Sequence, residues 1–229
     1  MGRASGPPQI VFMPLSFPGL PDDIQIKHQV HDDWTVKNWM HILSVDEMQR
    51  RTGMRSEKRQ QNFTLGRVAI RTLLSDHMQI SPSEVPIVIE PTGRLSAPES
   101  GQLLSLAHSG DQAIASISMR NAGVDVEEIR EKPDSLLDYI LCEEEKKHVY
   151  GLSIPHEQLL FVCWTLKEAV LKANGTGLRR SPRTVQLRID PISQTATAVD
   201  PEGNPWHARF VVEDPYVFAI AFDPNPDAA

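Results

Sequence analysis

Gly123-Val124-Asp125-Val126-Glu127 alternates apolar and acidic residues. Successive side chains of a strand point to opposite faces. Val124 and Val126 therefore enter a core, while Asp125 and Glu127 leave it together on the other side. Two carboxylates this close repel unless a positive charge stands between them. A divalent cation with hard oxygen ligands would supply that charge. The plainer alternative is a solvent-facing strand carrying two ordinary acids, and the depletion of Asp in strands weighs against it.

Downstream, Leu159, Cys163, Leu166, Val170 and Ala173 recur at four- and three-residue spacing, predicting the core stripe of a helix over His156–Asn174. Trp164, Glu168 and Lys172 lie four apart and share another face, with Lys167 beside Glu168 on its rim. Spacing alone favours the plainer reading, a surface helix with a Glu–Lys pair worth ~0.3–0.5 kcal/mol. Asn174-Gly175 stops the helix, and Thr176-Gly-Leu-Arg-Arg180 leads away with positive charge.

Upstream, Leu103–His108 and Gln112–Ser118 read as a hairpin around Ser109-Gly110-Asp111. Its Ala107-His108-Ser109-Gly110 turn can offer N–H groups and an imidazole to an anion. Pro91-Thr-Gly93-Arg94 is a turn that can place Arg94 as a phosphate clamp. Each of these, taken alone, has an ordinary structural or solvated reading. Ile24–Val30 alternates as a strand, Ser44-Val-Asp-Glu47 is a capping box, and a longer helix starts near Ser56 with Phe63, Arg67, Ile70 and Leu74 at helical spacing. A short strand is expected at Val85–Glu90 and another at Ala122–Glu128. A helix is expected at Pro133–Tyr150, and several strands between Thr184 and Phe222. Helices beside antiparallel strands make the class α+β. The expected organisation is an irregular arm over 1–23, one α+β half over 24–120, a second over 121–223, and an acidic tail over 224–229.

The 229 residues carry 23 basic and 30 acidic side chains, a net charge of −7, with 40% hydrophobic and 23% charged residues. That balance excludes collagen, a coiled coil and a disordered chain. It disfavours an electropositive nucleic-acid binder. No apolar run approaches the ~20 residues a membrane span needs. The start, Met1-Gly2-Arg3-Ala4-Ser5-Gly6, lacks a signal-peptide core, and Gly6 breaks the myristoylation pattern, so a cytoplasmic protein is expected. Cys142 and Cys163 fit no metal-binding pattern and are expected as free thiols. No P-loop, dinucleotide fingerprint, zinc-protease motif or nucleophile elbow occurs.

The order of the motifs matters more than any one of them. Gly-Arg, His-Ser-Gly, Gly-Val-Asp-Val-Glu and Trp-Thr-Leu-Lys-Glu-Ala-Val-Leu-Lys follow one another between Ser44 and Leu178. This order resembles the 4′-phosphopantetheinyl transferases of the surfactin-synthetase (Sfp) type. The resemblance implies two similar α+β halves with pseudo-twofold symmetry and a coenzyme A cleft between them. It implies transfer of the phosphopantetheine arm of coenzyme A to a serine of an apo acyl or peptidyl carrier protein, releasing adenosine 3′,5′-bisphosphate. Asp125, Glu127 and Glu168 would hold Mg²⁺, with Mn²⁺ the other candidate. His108, Ser109 and Arg94 would meet the phosphates, and Lys172 the phosphate under attack. Glu168, Lys172 and Glu127 would carry the catalysis, Trp164 would be structural, and Glu145 matches a recurrent acid. Two departures stand out. Ala107 replaces the usual Ser, and Asn62 an Arg, so Arg59 or Arg67 would hold the 3′-phosphate instead. Arg50, Arg51, Arg55, Lys58 and Arg59 are either a docking patch for an acidic carrier or a solvated face. A monomer is expected, without nucleic-acid or membrane partners. A non-catalytic module binding coenzyme A or a carrier, and a metal-dependent phosphohydrolase, remain alternatives.

Overall fold

The structure, a computed structural model, describes residues 15–31 and 39–225. Most of the expected arm and the end of the expected acidic tail lie outside the described residues. In chain order the elements are β1 (Gln25–Val30), α1 (Val45–Thr52), α2 (Glu57–Met78), β2 (Val88–Ile89), β3 (Leu95–Ser96), β4 (Leu103–Ser109), β5 (Gln112–Ser118) and β6 (Ala122–Glu128). Then come α3 (Ser135–Ile140), α4 (Glu143–Val149), α5 (His156–Ala173), β7 (Gln186–Asp190), β8 (Thr195–Val199), β9 (Pro205–Glu213) and β10 (Tyr216–Phe222). Short 3-10 turns fill several connections.

Every strand pairing is antiparallel, in sheets ordered β1-β5-β4, β6-β10-β9-β8-β7 and β2-β3. Helix and sheet mix as the α+β reading expected. The larger two sheets have three and five strands. Helix α2 packs on the first, burying Ile70, Leu73 and Leu74 against Leu104, Ala115 and Ile117. Helix α5 packs on the second, where Cys163, Leu166 and Val170 meet Val217, Ala219 and Ala221. Between them lies a third cluster, in which Ala107 and Ile114 meet Val124, Val126, Phe218 and Ile220. Leu15, Phe17 and Ile24 are buried in that cluster as well, so residues 15–23 carry no helix or strand but are packed rather than loose. Arg120 secures this stretch with paired hydrogen bonds of 2.7–3.0 Å to Asp23.

Local chemistry sets the element ends. The Ser44–Glu47 capping box forms and starts α1; Ser56 caps α2. Two expectations change. The helix expected over Pro133–Tyr150 is two helices, because Leu141 and Cys142 turn extended and the Glu145 carboxylate restarts the helix by accepting the Cys142 N–H at 2.8 Å. The strand expected over Val85–Glu90 shrinks to Val88–Ile89, because Val85 is drawn into the core instead and its carbonyl accepts from Arg71.

The two larger sheets meet edge to edge at β4 and β6 through side chains. The Val124 N–H donates to Ser105 Oγ at 3.0 Å, and the Glu128 N–H to Ser109 Oγ at 3.2 Å. These hydroxyls take the place of ladder carbonyls at the β6 edge. On its other side, β6 lies directly beneath α5. A Cβ on Gly123 would stand 2.2 Å from the Ala169 carbonyl and 2.4 Å from the Ala173 nitrogen. Only glycine permits that approach, and it brings Glu168 and Lys172 down onto Asp125. Gly123→Ala is expected to force helix and strand apart and cost about 1–3 kcal/mol or more. Urea denaturation of the two proteins measures it, and equal midpoints would show that the contact can relax.

Candidate functional site

The seam between β4 and β6 opens into a cavity of about 840 Å³. Its acidic wall comes from β6 and α5. Asp125 and Glu127 share a face of β6, as alternation requires, and Trp164, Glu168 and Lys172 share the facing side of α5. Basic side chains line the same cavity: Arg50, Arg67 and Arg94, joined by Arg179 from the turn after α5. His108 lines it from the end of β4.

The acids are crowded. Burial holds Asp125 above its ordinary value, opposed by Lys172 and a backbone N–H. Burial and the Asp125 charge raise Glu127, against hydrogen bonds from Ser109 and Trp164. Burial, then Asp125, pushes Glu168 up to about 7. Asp125 Oδ2 and Glu168 Oε1 are buried without a hydrogen-bond partner. Buried carboxylate oxygens left this way are costly. Lys172 Nζ donates to Asp125 Oδ1 at 2.6 Å and to the Val124 carbonyl at 3.2 Å. Removal of water, then the Lys172 charge, holds His108 below its ordinary value.

Hard oxygen donors with unpartnered buried atoms suit a divalent cation. As the side chains lie, no group of three His, Cys, Asp or Glu among the described residues is arranged to hold one. Lys172 is the cation bonded to Asp125.

Other predicted residues fall as follows. Ser109 faces Glu127, donating to Oε2 at 3.2 Å, rather than pointing at an incoming anion. Its turn is fixed by Gly110, whose φ of +59° and lack of a Cβ admit the Tyr216 hydroxyl. Arg94 borders the cavity with one buried nitrogen unpartnered. Arg67 also borders it; its Nε pairs with Glu47 at 3.3 Å, while another nitrogen is buried and unpartnered. Arg59 is exposed and outside the cavity lining. Arg50 is at the cavity instead, stacked 5.7 Å over Phe63 with Arg67 at 5.2 Å on the same ring. Of the rest of the basic cluster, Arg51 bonds Thr64 at 3.0 Å, while Arg55 and Lys58 are exposed. Ala107 sits between Ser105 and Ser109 on β4 and packs in the apolar cluster. Asn62 does not line the cavity.

Lys167 corrects the expectation that it lies on the rim. It is fully buried, ion-paired to the equally buried Glu145, and it donates to the Val185 carbonyl at 2.6 Å. Glu145 also accepts the Leu187 N–H at 2.7 Å. A buried lysine needs such partners, and these are far along the chain, beyond the reach of helical periodicity. Arg50 and Arg179 had a signal in the sequence, as basic residues near the helix start and after the helix stop, but nothing local aimed them at a cavity.

A family model described as the 4′-phosphopantetheinyl transferase superfamily matches residues 121–221. The 4′-phosphopantetheinyl transferase HetI of Nostoc sp. is 31% identical over 170 residues, covering 68% of this chain and 70% of that protein. The 4′-phosphopantetheinyl transferase psf-1 of Bacillus pumilus is 27% identical over 137 residues, covering 57% of each chain. The crystal structure of Thermotoga maritima holo-[acyl-carrier-protein] synthase overlaps 46% of this chain and 64% of that one, at 22% identity and a TM-score of 0.35. Among the described residues no helix is long and apolar enough to cross a membrane.

The Glu168 carboxyl gives a pH dependence with a definite sign. Its folded value near 7 lies above the ordinary 4.5, so the folded state holds the proton more tightly. Its ionised form burdens the fold above pH 7, and the burden lifts as pH falls from 7 toward 4.5. Without divalent cations, wild type is expected to gain stability on acidification through that window relative to Glu168→Gln. Thermal unfolding of both proteins across the window checks it; parallel curves would remove Glu168 as the source.

Proposed function

Because the chain belongs to the 4′-phosphopantetheinyl transferase superfamily, we propose that its cavity binds coenzyme A and that the protein transfers the phosphopantetheine arm to a serine of an apo acyl or peptidyl carrier protein. The observation that carries this reading is that one cavity is lined both by a set of arginines, Arg50, Arg67 and Arg94, and by a set of acids, Asp125, Glu127 and Glu168. A ligand with several phosphates fits the first. A reaction at a pyrophosphate needs the second, with a cation between. In this proposal both halves, 24–120 and 121–223, contribute to the cavity: Arg50, Arg67 and Arg94 come from the first, and Asp125, Glu127, Glu168 and Arg179 from the second.

The reaction forms a bond from the carrier serine oxygen to the phosphorus next to pantetheine. It breaks the pyrophosphate bond, and adenosine 3′,5′-bisphosphate leaves. Arg94, Arg67 and Arg50 bind and orient the phosphates, Arg67 and Arg50 taking the 3′-phosphate in place of Arg59. His108 donates a hydrogen bond to the pyrophosphate. Glu168, whose Oε1 is unpartnered, or a water beside it, takes the serine proton. Such proton transfer is typically worth ~10²–10⁴-fold. Lys172 supports the negative charge of the transferring phosphoryl group. Mg²⁺ would be held by Asp125, Glu127 and Glu168, and would supply positive charge to offset that of the pyrophosphate. Ser109 holds Glu127 in place. Ala107 and Asn62, the two departures favouring a binding-only module, leave the acidic wall complete.

The test is incubation with coenzyme A, Mg²⁺ and purified apo carrier proteins, followed by intact mass of the carrier. A gain of one phosphopantetheine is expected, reduced by about 10²-fold or more in Asp125→Ala and Glu168→Ala. Binding of coenzyme A without transfer to any carrier class would favour the module. Bisphosphate release without a carrier would favour the hydrolase. The exposed Arg55 and Lys58 are proposed to meet the acidic carrier. Arg55→Glu with Lys58→Glu should raise KM for the carrier severalfold while leaving coenzyme A affinity unchanged; an unaltered carrier KM would clear that surface of a role.

A further inference from the structure

The resemblance sends Lys172 to the phosphate under attack, but the structure places its ammonium on Asp125. Nζ lies 2.6 Å from Oδ1, and the side chains are only 26% and 7% exposed. The Val124 carbonyl, 3.2 Å away, holds the same ammonium from the strand backbone. One carboxylate oxygen of the wall is therefore already engaged by a cation. Two others, Asp125 Oδ2 and Glu168 Oε1, have no hydrogen-bond partner among the described residues. Separating a buried pair leaves an uncompensated charge unless another cation replaces the one withdrawn. A divalent ion among the three acids would be such a replacement. Lys172, on a flexible four-carbon stem, could then reach into the cavity.

We propose that Lys172 is the resident counter-ion of the acidic wall, that it competes with the divalent cation for Asp125, and that cation binding frees it to meet the substrate phosphate. The proposal rests on the reading that Asp125, Glu127 and Glu168 hold a cation. It makes the order of events physical: without the cation, Lys172 is locked away from the phosphate it serves. The coupling is reciprocal. Lys172 weakens cation binding, and the cation loosens Lys172.

Two measurements on the full chain without coenzyme A test this. The first is Mn²⁺ binding followed by electron paramagnetic resonance. Lys172→Met is expected to bind Mn²⁺ about tenfold more tightly than wild type, within the usual range of coupling between sites. Arg94→Met, which removes a cation from the same cavity without touching Asp125, is expected to change it little. The second needs no substitution at Lys172. Amine acetylation read by mass spectrometry should label Lys172 severalfold faster with Mg²⁺ present, while the exposed Lys58 is unaffected. If Mn²⁺ binds wild type and is lost in Asp125→Asn, the cation site stands. Unchanged affinity in Lys172→Met, equal tightening in Arg94→Met, or Lys172 labelling indifferent to Mg²⁺ then overturns the counter-ion role alone. If Mn²⁺ binds none of the proteins, the cation reading falls, and this inference with it.

Discussion

The contact between the α5 backbone and Gly123 is the constraint on which the rest of the site depends. Asp125 and Glu127 belong to a strand, Glu168 and Lys172 to a helix more than thirty residues later in the chain. They form one wall because a missing Cβ lets helix and strand close to within direct backbone contact. An alanine in that place would keep the alternation and the helical stripe and still move the acids apart. The close approach also creates the electrostatic problem. Three carboxylates come together in a region poor in water, and burial raises each above its ordinary range. A sequence selected for stability alone has no reason to build this.

Two further devices hold the wall from behind. Ser105 and Ser109 accept N–H groups on either side of the Asp125-Val126-Glu127 run, so β6 is pinned at both ends of its working segment. On the other side, Glu145 and Lys167 form a fully buried pair that ties α4, α5 and β7 together one residue before Glu168. A buried ion pair is a weak source of net stability compared with apolar packing, but it is demanding about geometry. Glu145 shows this most clearly. It caps α4, pairs with Lys167 and accepts from Leu187, so a shift of any of the three elements breaks a bond to a buried charge. That rigidity fixes the rotation of α5, and with it the direction in which Glu168 and Lys172 point.

The parts legible in the sequence were those whose cause is local. Strand alternation placed Asp125 and Glu127 on one face, four-residue spacing placed Trp164, Glu168 and Lys172 on one face, and the Ser44 capping box opened its helix. What escaped was set by partners distant along the chain. Lys167 reads as a rim residue until Glu145 and Val185 are known to stand beside it. Ser109 reads as an anion contact until β6 is known to lie against β4. The break at Cys142 needs Glu145 as its cap, and the run of three glutamates hid which acid served. Arg59 and Arg50 sit in one basic cluster, and only the packing of α1 against α2 decides that Arg50 reaches the cavity.

The net charge of −7 describes the whole chain, whereas a ligand responds to the field where it binds. Arg50, Arg67, Arg94 and Arg179 concentrate positive charge around one cavity of an acidic protein. The composition was therefore silent about a confined anion site. The two walls also impose an order on their occupants. A polyanion is welcomed by the arginines and repelled by Asp125, Glu127 and Glu168, so its reacting end can settle against the acids only when cationic charge lies between. Lys172 alone cannot supply it, since its ammonium is committed to Asp125 and leaves Glu168 Oε1 bare. The buried carboxylates of the site therefore outnumber the ammonium that engages them.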